Sequence, residues 1–183
     1  PSHLGGHQNE THIDEGALMH LVNKFGVKSY LDVGCGPGGM VELAHSKGLA
    51  SLGVDGDFTL ERPDASRYVL HDYTKGPAPV DGLWDIGWSC EFLEHVSEQY
   101  MDNYMDTFGK CKRIVVTHAF PGQGGHHHVN EQDPNYWFQQ FGKRGFLLDM
   151  VTTDEVRRAS TMTQRYIRFS GMVFFNSNLN WQV

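Results

Sequence analysis

A carboxylate placed two residues ahead of a glycine-rich turn, in Leu31-Asp32-Val33-Gly34-Cys35-Gly36-Pro37-Gly38-Gly39, is the most chemically pointed arrangement in the chain. Glycine lets the backbone turn sharply and lets a ligand approach the main chain with no Cβ in the way. A strand that ends in such a loop and restarts as a helix presents free N–H groups, a polar platform for a nucleotide-like ligand. Gly34, Gly36 and Gly39 fit the dinucleotide spacing, and Asp55-Gly56, about 20 residues further on, is placed to meet ribose hydroxyls. Asp32 argues against a dinucleotide, because a carboxylate there would repel a pyrophosphate and favour a ligand that carries positive charge.

The second chemical cluster is the stretch Thr117-His118 through Gly122, Gly124, Gly125, His126-His127-His128 and Glu131. Imidazole titrates near neutrality and can take a proton from an acceptor or bind a metal. Three adjacent histidines cannot all point one way in an extended chain. A metal would need a further ligand, which His118, Glu131 or Asp133 could supply. A solvated loop with backbone-bonded histidines is the plain alternative. A base or contact role ranks above metal binding, no metal ligand is assigned, and His118 and His128 are the candidate bases. The glycines would let the loop move as a lid.

These residues need elements to hold them. Asp14–Phe25 places Leu18, Leu21, Val22 and Phe25 on one helical face, and Met40–Lys47 reads as a second helix stopped by Gly48. Strands are expected at Tyr30–Val33, Ala50–Val54, Tyr68–Leu70, Trp84–Trp88 and Arg113–Thr117. Glu98–Lys110 reads as a helix with Met101, Tyr104, Met105 and Phe108 as its buried stripe. Asp133-Pro134 opens a helix that runs to about Arg144. Phe146–Val151 and Gly171–Phe175 are late strands with a polar, non-helical connection between them. Alternating strands and helices imply one α/β domain over 1–183, a doubly wound, mostly parallel sheet. Residues 1–13 form an arm and 118–132 a histidine- and glycine-rich loop. Ligands of such sheets bind beyond the carboxyl ends of the strands, where Asp55, Asp72-Tyr73 and Ser89-Cys90-Glu91 fall.

With its acid followed by x-Gly-x-Gly-x-Gly, the segment Asp32–Gly38 resembles the first motif of the class I S-adenosylmethionine-dependent methyltransferases. Glu91-Phe92-Leu93-Glu94-His95-Val96 is similar to the segment that follows strand four in small-molecule members. The resemblance spans roughly Asp14 to Asn176. It implies a Rossmann-like sheet of order 3-2-1-4-5-7-6, with an antiparallel C-terminal strand. It also implies S-adenosyl-L-methionine as cofactor, whose cationic sulfonium and ammonium suit Asp32. Asp32, Gly34, Cys35, Gly36, Pro37 and Gly38 would cradle it. Asp55 and Gly56 would meet the ribose, Asp72 and Tyr73 the adenine, and Ser89, Cys90 and Glu91 the methionine end. His3, His7 and His12 of the arm could cover it, although a plain surface role is the simpler reading. The methyl acceptor is expected to be a small molecule. Rival readings are a non-catalytic S-adenosylmethionine-binding module and a nicotinamide-dependent oxidoreductase. Asp32 and Glu91–Val96 argue against the oxidoreductase.

Bulk composition agrees with an ordinary globule. Of 183 residues, 39% are apolar and 20% charged, in keeping with one domain able to bury a core. No apolar run approaches the roughly 20 residues of a membrane span. The three cysteines, Cys35, Cys90 and Cys111, fit neither a metal nor a disulfide framework, which suggests reduced thiols and a cytoplasmic location. A formal charge of -7 without a strong basic cluster disfavours duplex nucleic acid, whose binding rests on phosphate contacts. Oligomeric state is left open.

Overall fold

Asp14 begins the first element by accepting the amide of Ala17 at 3.0 Å, and Gly26, at φ 62°, ends it in the left-handed region. Between them α1 (Glu15–Phe25) buries Ala17, Leu18 and Leu21. The fully buried Asp14 also accepts from the Ser160 hydroxyl and the Thr161 amide, which ties this end of α1 to a segment far along the chain. The computed structural model describes residues 9–179.

The strands are β1 (Ser29–Val33), β2 (Ala50–Asp55), β3 (Tyr68–Leu70), β4 (Trp84–Ser89), β5 (Cys111–Val116), β6 (Phe146–Leu148) and β7 (Met172–Asn176). They form one sheet of order β3-β2-β1-β4-β5-β7-β6. The first five run parallel, and β7 lies antiparallel to both β5 and β6. Strand order reverses between β1 and β4, where diverging connections open a crevice at the carboxyl ends. Asp32 sits there, level with Gly53 of β2 and Trp88 of β4.

Apolar layers cover both faces. Leu18, Leu21, Met40, Val41, Trp88 and Val173 belong to one, under α1 and α2 (Gly39–Ser46). The other holds Met101, Tyr104, Met105 and Phe108 of α3 (Met101–Phe108), the expected stripe, with Trp137 and Phe141 of α4 (Pro134–Gly142). Asp133 caps α4 by accepting the Tyr136 amide.

Two expectations are corrected. The helix foreseen from Glu98 begins as a 3-10 turn over Glu98–Tyr100 and becomes α-helical only at Met101. Phe146–Val151 stops being a strand at Leu148. Asp149 accepts the Thr152 amide and starts α5 (Met150–Ala159), and α6 (Tyr166–Ser170) follows before β7. The polar connection is therefore helical. Its β-branched Val151-Thr152-Thr153 favours strand locally, but the Thr153 hydroxyl accepts the Val173 amide and docks the helix on the sheet. Only Thr152, Thr153 and Val156 of α5 are buried, which is why no apolar stripe announced it.

Candidate functional site

Above the carboxyl ends of β1 to β4 lies a cavity of about 890 Å³. Gly34, Cys35, Gly36 and Pro37 form its floor, Asp55, Gly56, Asp72 and Tyr73 one side, and Cys90, Glu91 and His126–His128 the opposite side. The strands deliver these residues because each ends at the same level of the sheet.

The glycine loop is conformationally demanding. Gly34 has φ 76°, and a Cβ there would stand 2.3 Å from the Phe92 ring. Gly38 stands just behind the wall as the N-cap of α2, with φ 90°. The loop is also pinned from below. Asp55 accepts the Gly36 amide at 2.8 Å, and Arg62 donates to the Gly36 carbonyl at 2.9 Å while lying 3.6 Å from Asp55. Arg62 escaped the sequence reading, because a single arginine in a polar stretch carries no motif.

Asp32 faces the cavity and is almost fully buried. Burial raises its carboxyl to about 8, opposed by a hydrogen bond from Tyr30 and reinforced by the charge of Asp55. A buried carboxylate of this kind is held ready for a cationic partner.

Other expected residues have local duties. Asp72 accepts the Thr74 amide and caps a short turn. Tyr73 is largely buried, donates to the Thr107 hydroxyl and packs edge-on against Phe92 and Tyr104, with part of its surface lining the cavity. Ser89 donates to the Val33 carbonyl at 2.8 Å, so it braces β4 against β1 and stands outside the wall. Glu91 does line it, in a left-handed conformation (φ 55°) unusual for a side chain of this size, with its amide donated to Thr117. Burial raises the Glu91 carboxyl to about 7, opposed by His128 and Thr117.

Glu94 and His95, one 3-10 turn further on, complete this side. Glu94 is fully buried, and burial with the nearby Glu91 charge raises it to about 8. His95 is lowered to about 4, chiefly by burial and then by His128. The His95 and His128 rings meet edge to face with centroids 5.0 Å apart, and His128 Nδ1 lies 2.9 Å from Glu131. One ligating atom from each of Glu94, His95 and His128 falls within 4.8 Å of the others. His95 had no assigned role in the sequence reading, and the partners named there for a metal, His118, Glu131 and Asp133, are not in this cluster.

His118 lies elsewhere. It is buried, packs against Phe120 and Trp137, and lines a second cavity of about 440 Å³. Burial lowers its pKa. The two cavities share Glu91, Gln123, Gln164 and Tyr166, so His118 reaches the main site only through that border. From the arm, Thr11 accepts the Gly39 amide and His12 stacks 5.0 Å from Tyr166, both at the cavity wall. His3 and His7 lie outside the described residues. Cys35, Cys90 and Cys111 are free thiols, and no helix among the described residues is long and apolar enough to cross a membrane.

No protein-family model matches the chain, and no curated protein matches it. Solved structures do. A TehB-like SAM-dependent methyltransferase from Corynebacterium glutamicum aligns at TM-score 0.63 and 16% identity over 89% of each chain. The 1,6-didemethyltoxoflavin-N1-methyltransferase of Burkholderia thailandensis, solved with bound 1,6-didemethyltoxoflavin and S-adenosylhomocysteine, aligns at 0.62 and 15%, covering 89% of this chain and 77% of that one. Magnesium protoporphyrin IX methyltransferase from Synechocystis PCC 6803, with bound SAM, aligns at 0.55 and 16%, covering 87% and 75%. With the strand order β3-β2-β1-β4-β5-β7-β6, the chain thus has the Rossmann-like fold of the class I S-adenosylmethionine-dependent methyltransferases.

Proposed function

We propose that this protein is an S-adenosyl-L-methionine-dependent methyltransferase acting on a small-molecule acceptor. The observation that carries the reading is Asp32, a buried carboxylate at the floor of a glycine-lined cavity, at the switch point of a sheet whose solved neighbours are methyltransferases. A pyrophosphate would be repelled there, whereas a sulfonium and an ammonium are attracted.

The cofactor supplies an electrophilic methyl group, and the residues of this chain bind, orient and exclude water. Gly34–Pro37 bring bare backbone to the ligand, and Asp32 faces its cationic end. Asp55 has lone pairs beyond those used on Gly36 and Asp57, enough to accept ribose hydroxyls. Asp72 and Tyr73 bound the adenine end, and Cys90 and Glu91 the methionine end. Ser89 supports that wall through Val33 instead of touching the ligand. The acceptor enters between Glu91, the histidine loop and the border with the second cavity. For an N–H or O–H acceptor atom, His118 or His128 would take the proton.

The test compares calorimetric binding of S-adenosylhomocysteine and NAD, followed by a screen of acceptors for homocysteine release. Tight NAD binding with no S-adenosylhomocysteine binding would overturn the reading. Cofactor binding without turnover on any acceptor would support a non-catalytic module.

A further inference from the structure

We propose that Glu94, His95 and His128 form a binding site for one divalent first-row transition cation at the wall of the large cavity. Their ligating atoms already lie within 4.8 Å of one another. A cation about 2.1 Å from each would need separations of roughly 3–4 Å, within reach of side-chain rotation.

The independent observation is the state of Glu94. Its side chain is fully buried, and neither carboxylate oxygen has a hydrogen-bond partner. Buried polar groups are almost always satisfied, and buried charges are paired or coordinate metals. His95 Nδ1 is likewise buried and unpartnered. These are the defects that a cation at the centre of the cluster removes.

The surroundings are built to hold the arrangement. The Val129 and Asn130 amides both donate to the Glu94 carbonyl, at 2.9 and 3.0 Å, which fastens the histidine loop over the turn carrying Glu94 and His95. His128 Nδ1–H donates to Glu131 at 2.9 Å, leaving Nε2 as the nitrogen with a free lone pair. Glu131 is itself held by the amides of Gly122 and Gly124. A carboxylate behind a histidine fixes the tautomer a metal requires. Gly125 keeps the approach clear, since a Cβ there would come within 2.4 Å of His128 Nε2.

Two imidazoles and a carboxylate select manganese, iron, cobalt or zinc over the oxygen-only preference of calcium and magnesium. Three protein ligands leave coordination positions open, the pattern of catalytic rather than structural sites. The use of the site, though not the binding itself, rests on the methyltransferase reading. An oxygen of the acceptor, hydroxyl or carboxylate, is the class of ligand for the open positions. In that state His128 is a ligand, and His118 remains the candidate base.

The test strips the purified full chain with chelator, then titrates Mn²⁺ by electron paramagnetic resonance and Zn²⁺ by calorimetry, with melting temperature alongside. Wild type should take up one equivalent and melt higher. Glu94→Gln and His128→Asn should lose saturable binding, and Glu131→Gln should weaken it by about 10- to 100-fold. Circular dichroism checks that Glu94→Gln folds, and His128→Asn, on the loop, decides if it does not. No saturable equivalent in wild type, or wild-type affinity in His128→Asn, overturns the site. S-adenosylhomocysteine binding to the metal-free protein is measured separately, so failure of the metal site and failure of the cofactor reading are distinguishable.

Discussion

The hydroxyl of Tyr30 donates to the carboxylate of Asp32 at 3.3 Å, and both side chains are buried at the carboxyl end of β1. Burial outweighs this hydrogen bond and raises Asp32 to about 8. A carboxyl raised on folding stabilises the ligand-free protein most below its unfolded value near 4. That contribution is lost as pH rises toward 8. The ammonium of S-adenosylhomocysteine pairs with the ionised form, so affinity should rise with pH up to about 8 and binding at neutral pH should release a proton. Calorimetry in buffers of different ionisation enthalpy measures that proton. Asp32→Asn should abolish both effects, and a pH-independent affinity in wild type would remove Asp32 from the cationic end.

Asp55 joins β2 to the glycine loop through the Gly36 amide and Arg62. Asp55→Ala leaves that amide without its acceptor, and any ribose hydroxyl with it, so cofactor binding should weaken by about 1–3 kcal/mol. Arg62→Ala, which loosens the loop without removing a ribose acceptor, should weaken binding less. Equal losses would mean that Asp55 acts only as a brace.

His118 lines the second cavity, and its Nε2 is buried without a partner. If it accepts the acceptor's proton, His118→Ala should lower turnover by about 10²–10⁴-fold with cofactor affinity unchanged. Stopped-assay kinetics with parallel binding titrations separate the two. Full turnover in the variant would return His118 to a packing role against Phe120 and Trp137.

Asp14 caps α1 and accepts from Ser160 and Thr161 in a fully buried position. Asp14→Ala should destabilise the fold by about 1–3 kcal/mol, because buried donors lose their acceptor. Denaturant unfolding reads this directly, and a loss well under that range would show that solvent reaches the junction.

The local code of this sequence was sufficient for the features whose cause is local. Gly34, Gly36 and Gly38 demand left-handed or open backbone, and the short apolar run Tyr30–Val33 ahead of them reads as a strand. The strand ends alone were enough to bring Asp32, Asp55 and Glu91 to one side of the sheet. Helix α5 was hidden because its buried face is Thr152, Thr153 and Val156, with too little apolar contrast to show a helical period. The bond from the Ser89 hydroxyl to the Val33 carbonyl was not legible, because which face of β4 Ser89 occupies depends on pairing with β1. The meeting of Glu94 and His95 with His128 was invisible for a stronger reason. It is made by two main-chain amides of a distant loop bonding the Glu94 carbonyl, and backbone bonds between remote segments leave no residue-type signature. Tertiary structure alone decided which histidine faces a buried carboxylate and which one packs beside tryptophan.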